Sequence, residues 1–470
     1  MAAEGNVEHR LRRQVDGASV AVVRIALGLL VAAEAASYLS RGWIAPRFVE
    51  PAYHFTFQGF DWVQPWSGVG MYVHFAVLGI LGLCLAAGFA HRLVAAATVT
   101  AFGYVFLLDK AEYLNHFYAA ILLLVLVAAA PADRALSVAA RRHRGRRPTV
   151  PVWSVWMLRF QVAVIYVYAG VAKLTTDWVA GEPMSAWLAE RSDLALVGGL
   201  LETSWAGIAF SWGGLAFDLA IVPLLLWRRT RALAFGLAVG FHVLNWVIFE
   251  IGIFPPMMIA ATTIFFDPSW PRTAWTAIRL AGRHARGAGT ARKPRPPASL
   301  APPHPGPAPA RGRASRLLVP ALALWITFQL LVPLRHHHYP GSVHWTEEGH
   351  RFAWHMKLRD KQGRATFTAV DRRTGERRQL DPLELITPRQ HARASVRPDM
   401  ILQLAHRLAE RERDAGHEVE VHAKAMVSLN GRPARDLVDP ERDLSGLTRD
   451  PWAADWIEPG PPPRNMSTLQ

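Results

Sequence analysis

Residues 159–187, RFQVAVIYVYAGVAKLTTDWVAGEPMSAW, form an apolar helical run that acquires Lys173 near its end and then meets Asp177, Trp178 and Gly181. A lysine at the edge of a run this apolar is costly to bury, so it either snorkels to water or carries chemistry. Asp177, about one turn later, bears on the choice, because a salt bridge to it would hold the lysine charged.

The run has many counterparts. Of 470 residues, 51% are hydrophobic and 19% charged, and the apolar ones cluster in long stretches. Runs long enough, or nearly so, to cross a ~30 Å hydrocarbon core lie at 19–39, 70–89, 92–108, 116–130, 152–173, 205–227, 231–248, 252–266 and 317–334. The chain reads as a multi-pass α-helical membrane protein with about nine spans. The formal charge of +15 comes from arginines gathered in short segments between apolar runs, which argues for membrane orientation and against nucleic acid. The lone Cys84 excludes an intrachain disulfide and a cysteine-rich metal site. Arg10, Arg12 and Arg13 precede a run too long for a signal-peptide core, so it reads as a retained first span.

Positive charge orients the spans. With the amino terminus cytoplasmic, the inner connections carry His91 and Arg92, then Arg134 to Arg147, then Arg228, Arg229 and Arg231, then the arginines from Arg283 to Arg316. The outer connections carry far fewer, and an odd number of spans leaves the carboxyl terminus extracytoplasmic. The domain reading is a transmembrane domain over 1–282, a disordered Pro/Ala/Arg cytoplasmic linker over 283–314, a last span over 315–334, an extracytoplasmic strand-rich α+β domain over 335–458, and a disordered tail over 459–470. Within the outer domain, strands are expected at His350–Leu358, Arg364–Val370 and Glu418–Leu429, with a helix over Pro398–Ala415 stopped by Gly416. Pro183–Leu201 is too interrupted by charge to span.

This topology gives each polar residue a depth. Lys173, Asn115, His116, His242 and Asn245 all fall in the outer part of the membrane, whereas Asp218 falls nearer its middle. Tyr166, Gly170 and Lys173 share one helix face, where the glycine either admits a flat ring or packs a helix. His336, His337 and His338 are consecutive and point apart, so no metal is expected. There is no Gly-rich phosphate loop after a strand and no serine elbow.

Two stretches, AGVAKLTTDW at 169–178 and DKAEYLNHFY at 109–118, resemble the vitamin K-dependent gamma-carboxylase family and its bacterial homologues, the HTTM proteins. The likeness continues through FHVLNWVIFEIGIF (241–254), FDPSWPR (266–272), YPGSVHWTEEGHRFAWHMKLRDKQGRATFT (339–368), TPRQHARASVRPDMILQLAHRLAE (387–410) and VSLNGRPARDLVDPERDL (427–444). The resemblance implies an enzyme that oxygenates a reduced naphthoquinone (phylloquinol or menaquinol) with O2 to its 2,3-epoxide and adds CO2 to peptide glutamate, without a metal. It implies Lys173 as the initiating base and His116 as its catalytic companion. Asp109, Tyr113, Asn115, Trp345, His350 and Trp354 become substrate- or quinol-binding, with Tyr166, Gly170, His242 and Asn245 lining the site.

The chemistry explains these types. A glutamate γ-C–H is too weak an acid for any side chain, so a strong base must be made from oxygen. Lysine starts that only as a free amine, and desolvation lowers its solvated pKa of ~10.4. The chain departs from the animal enzymes at Tyr113, where they carry Trp, at His350, where an aromatic is usual, and in lacking their disulfide. Expected partners are membrane lipid and a glutamate-containing peptide or protein; the oligomeric state stays open. The alternative, from another class, is a quinone- or lipid-binding membrane protein or uncoupled quinol epoxidase whose outer domain docks a partner.

Overall fold

The computed structural model describes residues 2–142, 147–194, 198–249, 251–285, 317–450 and 452–463. Its helical part comprises α1 (Ala18–Ser40), α2 (Val69–Ala87), α3 (His91–Leu108), α4 (Asn115–Ala129), α5 (Val152–Val171), α6 (Ser204–Leu226), α7 (Arg231–Phe249), α8 (Phe254–Thr262), α9 (Trp270–Ala285) and α10 (Leu318–Leu331). Seven of the described helices are long and apolar enough to cross a membrane, and α4 and the α8 segment are shorter apolar helices. Together they account for the nine apolar runs.

Small residues and a buried cation hold the bundle together. A Cβ on Gly28 of α1 would lie 2.5 Å from the Gly82 carbonyl of α2, so the two helices touch backbone to backbone. Arg24, fully buried on α1, donates to the carbonyls of Ala132 (2.7 Å), Leu136 (2.6 Å) and Ala86 (3.1 Å). It thereby satisfies helix-end acceptors that the bilayer could not.

The outer domain is a four-stranded antiparallel sheet with helices on one side. Strands β1 (Lys361–Asp371), β2 (Arg377–Leu380), β3 (Val419–Leu429) and β4 (Arg435–Asp436) pair in the order β2-β1-β3-β4. Alternate residues of β1 and β3, such as Ala365, Phe367, Val421 and Ala423, pack on Ile401, Leu404 and Leu408 of α12 (Pro398–Asp414), behind the shorter α11 (Pro388–Ala394). Gly416, at φ +87°, ends α12 as its sequence suggests.

Three expectations need correction. Residues His350–Leu358 are not a strand but a run of turns, with Phe352, Trp354 and Lys357 at φ of 64°, 60° and 48°. The segment leaves the outer domain for the bundle, where Trp354, Phe352 and Met356 join the helical core, so its apolar residues serve that core and not the sheet. The tail is anchored at its start, because Gly460 lies against the Trp345 ring. The expected linker begins inside α9, which runs to Ala285; its remainder, like residues 464–470, lies outside the described residues.

Ion pairs fasten the outer domain to the bundle. Glu112 accepts from Arg47 (3.0 Å) and Arg389 (2.7 Å), Lys110 meets Asp399 (2.9 Å), and Asp177 accepts from Arg432 (2.5 Å) and Asn430 (2.6 Å). The acid beside Lys173 in sequence is therefore engaged in docking.

Candidate functional site

Just past the end of α5 the chain leaves the helix, and Thr175 caps the short turn that follows by accepting from the Trp178 amide. This bend turns Lys173 inward. It is 8% exposed, its Nζ donates to Asp218 Oδ2 of α6 at 2.6 Å and to the Ala169 carbonyl at 3.2 Å, and it sits 5.3 Å from the Trp178 ring centre. Snorkelling is thereby ruled out for Lys173. Gly170 makes the pairing possible: a Cβ there would meet Leu219 at 2.7 Å and Asp218 at 3.2 Å. Its role is helix packing that brings Asp218 to the lysine, which corrects the expectation that it contacts a flat ring.

Lys173 and Asp218 face a cavity of about 1090 Å³. His116, Tyr166, His242 and Asn245 line the same space, together with apolar Ile165, Phe217, Phe241 and Phe254. Tyr166 Oη lies 2.7 Å from His242 Nε2 and 3.2 Å from Thr262 Oγ1. His242 is 1% exposed, and its Nδ1 has no hydrogen-bond partner among the described residues. Asn245 Nδ2 donates back to the Phe241 carbonyl at 2.8 Å.

The roof belongs to the outer domain. Phe352 N donates to Tyr113 Oη (2.7 Å), Tyr113 Oη donates to Asn115 Oδ1 (2.9 Å), and Asn115 Nδ2 donates to the His355 carbonyl (3.1 Å). This chain pins the 350–358 segment over the cavity, so Tyr113 and Asn115 position the roof while lining the space beneath it. Above lie Lys357, Arg359, Lys361, Arg393 and Arg397, with the buried carboxylate of Glu347 among them. Glu347 accepts from Arg359 (2.5 and 2.8 Å) and lies 3.0 Å from His350 Nε2. Burial alone would raise its carboxyl, but the charges of Arg359, His350 and Lys361 hold it well below the usual carboxylate range. Burial drives the His355 imidazole down to about 2 and the Lys361 amine down to about 7, the latter against the pull of Glu347.

Three expected contact residues lie elsewhere. Asp109 is 1% exposed and accepts from Gln390 Nε2 (2.7 Å) and the Ala111 amide (2.7 Å), joining the domains. Trp345 is fully buried in the outer core, its Nε1 donating to the Glu458 carbonyl (2.7 Å). Trp354 is fully buried against Tyr118, ring centres 5.1 Å apart. None of the three is among the residues lining the cavity. Among the described residues no group of three His, Cys, Asp or Glu side chains could hold a metal ion.

Two family models match the chain. The HTTM domain covers residues 12–270, and the lumenal domain of vitamin K-dependent gamma-carboxylase covers residues 314–461. The chain belongs to the HTTM family. It is a gamma-carboxylase-like HTTM protein, and the second match places its C-terminal domain on the extracytoplasmic side. The family implies use of vitamin K. No solved structure matches the chain.

The chemical capacity of this HTTM protein's site follows. A buried lysine and carboxylate share one proton-transfer contact, a hydrogen-bonded tyrosine–histidine pair lies on the same apolar-walled cavity, and a cationic roof covers the far end. Asp218, Arg359, Lys361 and Arg397 were missed by the sequence reading. Asp218 had a signal, being the one acid in the apolar α6.

Proposed function

We propose that this protein is a vitamin K-dependent gamma-glutamyl carboxylase-like enzyme, embedded with its amino terminus cytoplasmic. It would convert a reduced naphthoquinone, O2, CO2 and a peptide glutamate into the 2,3-epoxide, water and a gamma-carboxylated residue. One observation carries this reading: Lys173–Asp218, His116 and the Tyr166–His242 pair share a single cavity roofed by cations of the extracytoplasmic domain. Its volume matches the upper end of the ~300–1,000 Å³ range of small-molecule sites.

The residues divide the work. Lys173 Nζ lies 2.6 Å from Asp218 Oδ2, so Asp218 is placed to take a proton from Nζ and leave a free amine. That amine accepts the proton of a ring hydroxyl placed beside it. Tyr166 and His242 hold the opposite end of the ring system, and the apolar walls exclude water that would quench a carbanion. When bound, the reduced naphthoquinone supplies with O2 the strong oxygen base that no side chain provides. His116, whose ring has no hydrogen-bond partner among the described residues, stabilises charge developing at the glutamate. Arg397 and Arg359 hold its carboxylate. Menaquinol or phylloquinol, membrane lipid and a glutamate-containing peptide are the partners this implies.

Purified protein in nanodiscs, given reduced vitamin K, O2, a glutamyl peptide and radiolabelled bicarbonate, tests the reading. Epoxide together with peptide-bound label supports it. Epoxide without label indicates an uncoupled epoxidase, and neither product indicates a quinone- or lipid-binding protein.

The roof makes two further predictions. Arg397→Met is expected to weaken the glutamyl peptide by about 10- to 100-fold in KM, as for a lost charge-assisted hydrogen bond of ~1.5–3 kcal/mol. Epoxide formation should persist, so the measured ratio of label to epoxide falls; an unchanged ratio would remove Arg397 from substrate binding. Lys361 adds positive charge below about pH 7 and loses it above. The peptide KM is therefore expected to rise about tenfold as pH climbs from ~6 to ~8. Lys361→Arg, charged throughout, should flatten that profile. Stability runs the other way: between about 7 and the unfolded value of ~10.4 the unfolded chain binds more protons, so this lysine makes folding more favourable as pH rises.

A further inference from the structure

Glycines in membrane helices ordinarily let backbones approach, and Gly28 and Gly170 do so here. Gly213 of α6 and Gly236 and Gly240 of α7 behave differently. A Cβ built on any of them would meet nothing within 4 Å. All three are exposed, and all three line the cavity. Leu237 and Leu244 line it too while remaining 52% and 46% exposed. A side chain that lines the cavity and is still half exposed on a helix of membrane-spanning length, as Leu237 and Leu244 are, lies at the cavity's margin toward lipid. The cavity wall between α6 and α7 is therefore a lateral slot, kept clear by missing side chains and free of charged lining residues along α7.

The slot leads to polar groups. Phe217 of α6 stacks on Phe241 of α7, ring centres 3.8 Å apart and nearly parallel at 17°. Phe217 also meets the Tyr166 ring edge-on at 5.8 Å, and Tyr166 holds His242, whose buried Nδ1 lacks a partner. A ligand filling both spaces has a flat head with a hydrogen-bonding group and a long uncharged chain. A free anion, a sugar or a peptide has no such chain.

We propose that the α6–α7 slot is the subsite for the apolar tail of the lipid-borne quinol, and the route by which the quinol reaches the chamber from the bilayer. The identity of the head rests on the function proposed above; the slot itself rests on the glycines and the stacked phenylalanines. A two-ring head seated at Tyr166 and His242 would send its chain past the Phe217–Phe241 stack and along the glycine-lined wall.

Gly236→Leu and Gly240→Leu test this, because the empty space at each Cβ lets the helices keep their packing. The probes are a tail-less naphthohydroquinone, menadiol, and a long-tailed one, menaquinol, both with wild type and variants in nanodiscs. The ratio of KM for the tailed quinol to KM for the tail-less quinol is expected to rise at least tenfold in each variant. An unchanged ratio overturns the proposal. Should wild type form no epoxide from either quinol, the proposed function fails and the slot is judged by binding, read as quenching of tryptophan fluorescence by menaquinone and by menadione. Selective loss of menaquinone affinity in the variants upholds the slot. Equal losses, or displacement of a tightly held phospholipid with no change in menaquinone affinity, overturn it.

Discussion

Replacing Lys173 with Ala is expected to lower epoxide formation by about 10²- to 10⁴-fold, the range for a positioned acid–base group. The variant should still insert and fold. Its fold does not depend on this side chain: the lysine sits past the end of α5, and its two hydrogen bonds go to Asp218 and to the Ala169 carbonyl. Removing it leaves Asp218 buried, but as a carboxyl group that can stay protonated in an apolar site. The check is epoxide by chromatography, with the outer domain's folding followed by its thermal transition. Lys173→Arg distinguishes chemistry from packing, since guanidinium cannot act as a free base near neutral pH. It should be as inactive as the alanine variant.

Asp218→Asn carries the second large effect, and its sign separates two roles. If Asp218 merely pinned Lys173 as an ammonium ion, removing the carboxylate would free the amine and raise the rate. In the present account Asp218 takes the proton, so the rate at saturating quinol is expected to fall on the order of 10²-fold with little change in quinol KM. Asp218→Glu should recover part of the activity by restoring an acceptor at the cost of crowding. A faster Asp218→Asn enzyme would assign the pair to electrostatic locking.

Most of the architecture is legible in the chain because the membrane helices are long apolar runs and the inner connections between them are marked by arginine. The outer sheet is legible where alternation is regular, as in Arg364–Val370 and Glu418–Leu429. It misleads at His350–Leu358, which is a run of turns whose Phe352, Trp354 and Met356 pack on the helical core rather than on the sheet. Within the site, Lys173, Asn115, His116, His242 and Asn245 line one cavity as their common depth suggests, and Tyr166 joins them from the helix face it shares with Lys173. Gly170 carries the packing that sequence alone left undecided. Asp218 was placed too deep to be linked with Lys173: it is 45 residues away in the chain, and the inward turn after α5 is set by the Thr175 cap. Trp345 and Trp354 illustrate a general difficulty, since a tryptophan's type and spacing do not tell whether its buried face meets a cavity or a core.

Lys173 can start the proposed reaction only as a free amine facing the chamber in which a naphthoquinone binds. Modification of the protein in nanodiscs near neutral pH by a neutral, lipid-soluble isothiocyanate, which adds to an amine only in its uncharged form, followed by peptide mass spectrometry with and without menaquinone, tests this. Lys173 is expected to be labelled, and menaquinone to suppress the labelling. A Lys173 that stays unmodified while exposed lysines react, or one labelled equally with and without the quinone, would contradict it.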